Sequence, residues 1–178
     1  MANLKEIRIR IGSVSSTMQI TSAMKMVSAA KLKKAQDAIT AMRPYSNKLS
    51  ELMQGFSSAS DSSSKSFTEN RQLKKVLVVA ISSNRGLCGA FNANIAKEIS
   101  ILKSKDKFKN SKIDFLTIGK KINDTLSKTE TVIQNSSDVF DDLNYENVSN
   151  IANELINHFT SLNYDHIEIV YNSFKNAA

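Results

Sequence analysis

Residues 3–54 carry an apolar stripe at helical spacing. Steps of three and four from Leu4 meet Ile7, Ile11, Val14 and Met18, then after a polar gap Leu32, Ala35, Ile39, Met42, Leu49 and Met53. Gly12 is the one interior glycine and the segment is rich in Ala, Met, Lys, Leu and Gln, so the spacing predicts a single helix about 78 Å long. Around Thr21, Lys25 and Ser28 the apolar side moves to Ile20, Ala23, Met24, Val27 and Ala30. The stripe therefore changes face, as it does where a coiled coil stutters or swaps partner. Pro44 costs the helix one hydrogen bond, yet the spacing resumes beyond it, which predicts a kink rather than an end. A helix of this length cannot bury its stripe alone, and the sequence offers no second helix to cover it.

From residue 57 the pattern breaks. Seven serines fall in the ten positions 57–66, with almost nothing apolar to anchor them, so 57–73 reads as a flexible linker. Beyond it, strand and helix alternate. The run 76–82 (VLVVAIS) suits a buried strand, and Phe91, Ile95, Ile99 and Leu102 mark a helix. Residues 113–118 form a second strand, 119–128 a short helix with Ile122 and Leu126 inward, and 131–134 a weak third strand. Val148, Ile151, Ala152, Leu155, Ile156, Phe159 and Leu162 mark an amphipathic helix, and 166–171 a last strand in which Ile167 and Ile169 alternate. The expected architecture is α/β: a long coiled-coil helix over 1–56, the linker, and over 74–178 a small three-layer domain with a mostly parallel sheet.

Charge changes this picture by where it sits. The chain has 24 basic against 17 acidic residues, and residues 1–54 hold nine of the basic side chains against Glu6, Asp37 and Glu51. A concentrated basic helix can mark a nucleic-acid footprint. Here the charges interleave with a buried-type seam, Tyr45 is the one aromatic before the helix end, and no block of five or six like charges occurs, so an acidic protein surface or a helical partner fits better. No stretch reaches the roughly 18 apolar residues of a membrane helix, and the start MANLKEIRIR has neither signal core nor transit-peptide character. The expected setting is cytoplasmic, without membrane insertion.

Candidate chemistry is sparse. Cys88 is the single cysteine and His158 and His166 the two histidines, too few for a zinc cluster. The turn Ser83-Asn84-Arg85-Gly86-Leu87-Cys88-Gly89 joins a strand to a helix, where free N–H groups can hold phosphate, but its spacing fits neither known phosphate loop. It reads as a structural turn, with an anion site the lesser alternative. Cys88 reads as a small buried residue, since neither histidine stands where a base is recognisable. Asp138, Asp141, Asp142 and Glu146 read as capping and solvation beside a helix start rather than as a metal site. Five of the six methionines lie on the long helix. Met18, Met42 and Met53 suit a core, whereas Met24 and Met26, where the stripe changes face, suit a surface that meets several partner geometries.

Three blocks now carry a resemblance: LKEIRIRIGSVSSTMQITSAMKMVSAAKLKKAQ (4–36), MRPYSNKL (42–49) and ISSNRGLCGAFNANI (81–95), with VYNSFKNAA (170–178) as a weaker fourth. The sequence resembles the gamma subunits of F-type ATP synthases, the central rotor shaft. Asn84 departs from the acidic residue usual before Arg-Gly-Leu-Cys-Gly in that family. The resemblance implies that the chain is an amino-terminal portion, lacking the second long helix that coils on the first. It also implies a shaft inside a ring of alpha and beta subunits, with the α/β domain near the epsilon subunit and the membrane c-ring, peripheral at the cytoplasmic face of a bacterial inner membrane. Rotation driven by ion flow would then drive ATP synthesis or hydrolysis on the beta subunits. On matching positions Met24, Lys25, Lys31, Lys33 and Lys34 are expected to face the hexamer, and Arg85, Gly86, Cys88 and Gly89 to form a structural or contact turn. No catalytic residue, cofactor, metal or nucleic acid is implied for this chain. The competing reading is an independent α/β binding module that dimerises through its basic helix.

Overall fold

The computed structural model describes residues 3–58 and 71–175, with the side chains of 56–58 left aside. Most of the serine-rich segment expected as a linker, 59–70, lies outside the described residues. The chain divides into two compact units, Met1–Asp61 and Ser62–Ala178.

The first unit is one helix, α1, Leu4–Ser58. It runs through Pro44 and past the expected end. Threonines before, in and beyond the polar gap turn inward on the helix itself: Thr17 Oγ1 donates to Ser13 O at 2.9 Å, Thr21 Oγ1 to Thr17 O at 2.9 Å, and Thr40 Oγ1 to Gln36 O at 2.9 Å. This back-bonding satisfies the hydroxyls without an outside partner. The apolar stripe is exposed along α1, with Met18 at 65 % and Met42 at 66 %, although both were expected as core.

The second unit is a four-stranded sheet in the order β3-β2-β1-β4: β1 Lys75–Ile81, β2 Lys112–Ile118, β3 Val132–Asn135 and β4 His166–Val170. Every pairing is parallel. Three helices complete the layers: α2 Phe91–Ser104, α3 Lys120–Leu126 and α4 Tyr145–Thr160. β1 is central and buried on both faces, which is why it reads as an unbroken apolar run. Val76, Val78 and Ala80 face one core with Ile95, Ile99 and Leu102 of α2 and Ile122 and Leu126 of α3. Leu77 and Val79 face the other with Leu116 and Tyr164, against which Leu155 of α4 packs.

Two details differ from the sequence pattern. α4 has no fully buried residue; Ile151, Leu155 and Phe159 are half-buried, while Val148, Ala152 and Ile156 face solvent. Leu162 lies beyond the helix at φ +61 and is exposed, because the chain turns there to enter β4. Ile167 packs against the sheet, but Ile169 on the edge strand is half exposed.

Polar groups close the amino ends of the strands. Asp165 accepts from Lys74 N at 2.9 Å and Lys75 N at 2.8 Å, and those bonds hold its carboxyl below the usual carboxylate range. Tyr164 OH donates to the buried Asp114 at 3.1 Å, and burial together with that carboxylate pushes the phenol up to about 12.

Candidate functional site

The turn between β1 and α2 sits at the carboxyl ends of the strands, where parallel sheets place their loops. Its frame is built from amides. Asn92, on the first turn of α2, accepts from Ser83 N at 3.1 Å and donates to Arg85 O at 3.3 Å and Cys88 Sγ at 3.0 Å. Asn84 spans two elements: its Oδ1 accepts from Lys120 N and its Nδ2 donates to Ser137 O, both at 3.0 Å. A carboxylate at this position could accept the first bond but could not donate the second. Asn84 is thus a brace between β1, α3 and the loop after β3.

The turn glycines are unequal. Gly89 has φ +59, a left-handed conformation that suits glycine. Gly86 has open space where a Cβ would go, nothing nearer than Lys121 Cε at 3.9 Å, and no left-handed φ. The left-handed position falls instead on Leu87, φ 60, whose side chain stands wholly in solvent. Leucine in this conformation costs about 1–2 kcal/mol, and the structure keeps it with an apolar side chain that touches nothing. Sequence reasoning passed over Leu87 because backbone sign is not written in a Gly-Leu-Cys-Gly spacing.

Cys88 is exposed, not buried as expected. The turn directs it outward beside the Asn92 amide. His158 lies in the last turn of α4 and His166 begins β4, both at the amino ends of the strands. A strand of this length puts roughly 20 Å between the two edges of the sheet, so Cys88 and the histidines form no nucleophile–base pair. His158 instead meets the Tyr164 ring edge-on at 5.5 Å, and His166 Nε2 lies 2.8 Å from Glu168.

A cavity of about 650 Å³ opens over the same carboxyl ends, lined by Ser82, Asn84, Arg85, Phe91, Lys120 and Phe140 among others. Its mouth is mixed in charge, since Asp141 joins Arg85 and Lys120. The cap of α4 is Asn144, which accepts from Asn147 N at 2.8 Å, and of the acidic run nearby Asp142 supports it by accepting from Asn144 Nδ2 at 2.9 Å. Among the described residues no three His, Cys, Asp or Glu side chains gather as a metal site would require.

The other candidate surface lies on α1. Met24 is 63 % exposed, and Lys25, Lys31, Lys33 and Lys34 are all exposed. At 3.6 residues per turn Met24 and Lys31 share a face, Lys25 and Lys34 flank it on either side, and Lys33 points to about the opposite side. The five do not make one patch; they ring the helix.

Comparison with known proteins bears on both surfaces. The sequence model described as ATP synthase matches residues 3–178. The ATP synthase gamma chain of Flavobacterium psychrophilum is 62 % identical over all of this chain, which covers 62 % of that relative. The gamma chain of Flavobacterium johnsoniae is 60 % identical with the same coverage, and that of a Geobacter species 40 % identical over 98 % of this chain and 61 % of its own length. The chain thus spans a little over three fifths of the curated relatives it matches.

Proposed function

The chain belongs to the ATP synthase gamma family, and from that premise we propose that it acts as the central rotor of an F-type ATP synthase, coupling transmembrane ion flow to ATP synthesis or hydrolysis on the beta subunits. The observation that carries this reading is α1: a helix of 55 residues, about 82 Å long, exposed along nearly its whole length and basic on every side. A helix that docks on one partner concentrates its contacts on one face. Charges that ring the axis suit a shaft enclosed by several partners.

Coupling needs the shaft to interact unequally with the conformations of its partners, because a contact equal in all states shifts none of them. Met24, where the stripe changes face, supplies an adaptable apolar contact. Lys25, Lys31, Lys33 and Lys34 supply long-range attraction to acidic loops of the alpha/beta hexamer. In this reading the turn of Arg85, Gly86, Cys88 and Gly89 is a contact element without chemistry of its own, and the α/β unit meets the epsilon subunit and the c-ring. The assembly is membrane-associated, and no described helix is long and apolar enough to cross a membrane. The chain brings no catalytic group or cofactor to the reaction.

The test is Lys31, Lys33 and Lys34 replaced together by glutamate in a full-length gamma chain assembled with its partners. The expected result is a lower ratio of ions pumped to ATP hydrolysed, with assembly retained. An unchanged ratio would overturn the role given to these lysines. A chain that forms only a stable dimer of itself, with no alpha or beta subunit recovered, would favour the independent module.

A further inference from the structure

The two edges of the α/β sheet differ in how charge is mixed. At the carboxyl edge Asp138, Asp141 and Asp142 stand with Arg85, Lys120 and Lys121. The amino edge is crowded with lysine. Lys74 and Lys75 lead into β1, Lys112 into β2, and Lys107 and Lys109 lie in the loop that precedes β2; all five are exposed. The backbone fixes them side by side. Lys75 and Lys112 are register partners on neighbouring strands, and Lys112 N donates to Lys74 O at 2.8 Å. Phe108, buried in the core, pins the loop, and Ser111 Oγ donates to Leu73 O at 2.9 Å.

The acids of this edge are largely turned to other work. Asp165 caps the Lys74 and Lys75 amides, the buried Asp114 faces Lys112 at 3.4 Å, Glu130 pairs with Lys103 and Glu98 with Lys105. Among the described residues Lys75, Lys107 and Lys109 have no ion pair within 4 Å; Lys74 is within electrostatic reach of the Asp165 carboxyl, and Asp106 lies exposed beside them. Lys107 stands over the Phe108 ring at 5.0 Å.

We propose that this amino edge is a docking surface for anionic phospholipid headgroups. The side chains are lysines, compact charges on flexible stems, without the planar fork that pairs two-pronged with bases and phosphodiesters. Among the described residues no exposed aromatic platform lies beside them for stacking on nucleic acid. Protein interfaces are depleted in lysine and centre on an apolar anchor, and Phe108, the large apolar side chain of this loop, is buried. A cluster of four to eight basic residues facing a diffuse anionic layer is the arrangement that lipid surfaces attract. A fluid headgroup layer also has no fixed wells around an axis, so this contact would not lock the rotor proposed above.

The experiment is flotation of the 178-residue chain with phosphatidylcholine vesicles, with and without phosphatidylglycerol. Binding is expected only with the anionic lipid and should fall as salt rises. Replacing Lys74, Lys75, Lys107 and Lys109 together by glutamine should weaken it at least about tenfold, and the same four as arginine should restore it. Lys112 is left in place because it neutralises Asp114. Because α1 is itself basic, a second variant with Lys25, Lys31, Lys33 and Lys34 as glutamine should keep most of the binding. The proposal fails if the α1 variant accounts for the loss, if arginine does not rescue, if anionic vesicles do not bind, or if duplex DNA or polyglutamate at equal charge concentration displaces the vesicles.

Discussion

At the scale of single residues, the end of β2 depends on one glycine more than on the motif glycines. Gly119 has φ +117, and a Cβ there would lie 2.4 Å from Ser82 O and 2.5 Å from Ser82 Oγ. Ser82 cannot retreat, since its N–H donates to Ile118 O at 2.8 Å and its hydroxyl accepts from Ile122 N at 3.0 Å. Strained backbone and steric overlap therefore act together in Gly119→Ala, which should lower unfolding stability by about 2–4 kcal/mol in a urea titration. Gly86→Ala, placed in open space at an ordinary φ, should stay within about 0.5 kcal/mol. Equal losses in the two variants would mean that the close approach of Gly119 to Ser82 does not hold the turn. The sequence singled out Gly86 by its motif, and the structure moves the steric demand to Gly119, thirty-odd positions away.

At the scale of elements, Pro44 makes a separable test. Its ring removes the N–H that would bond to Thr40 O, and α1 nevertheless continues to Ser58. Pro44→Ala restores a donor and relieves the ring clash, a change of up to about 3 kcal/mol in favour of helix. Amides of residues 41–48 should exchange more slowly with solvent deuterium in the variant; unchanged exchange would mean that the helix there is not limited by the proline. Legibility follows the same physics. β1 was readable because a strand buried on both faces is apolar throughout, and α2 because Ile95, Ile99 and Leu102 all point into one core. α4 forms where the spacing predicts it, but its apolar positions span a broad arc of one face, of which the sheet takes only Ile151, Leu155 and Phe159 to partial burial. The pairing order β3-β2-β1-β4, the exposure of Cys88 and Leu87, and the bracing by Asn84 and Asn92 were not legible. Each depends on residues distant in sequence or on backbone sign, and neither leaves a periodic trace.

At the scale of the whole molecule, the two units rest on different sources of stability. The α/β unit has its own core, with Val76, Leu77, Val78 and Ala80 fully removed from solvent, and burial of this kind stabilises a fold without help from neighbours. α1 has no such core: Leu4, Ile11, Val14, Met18 and Met53 are each more than 60 % exposed, so its helicity rests on propensity, back-bonded threonines and pairs such as Lys48 with Glu51 at 2.8 Å. An uncovered stripe lowers its free energy by meeting another apolar surface, and in a solution of this chain alone the available surface is another copy. The helical signal of the 178-residue chain should therefore fall on dilution as sedimentation shows the species becoming monomeric, while amide protection of β1 and β2 stays constant. A monomer whose helical signal is independent of concentration would show that α1 is stable without a partner. Loss of β1 and β2 protection together with the helix would show instead that the two units fold as one.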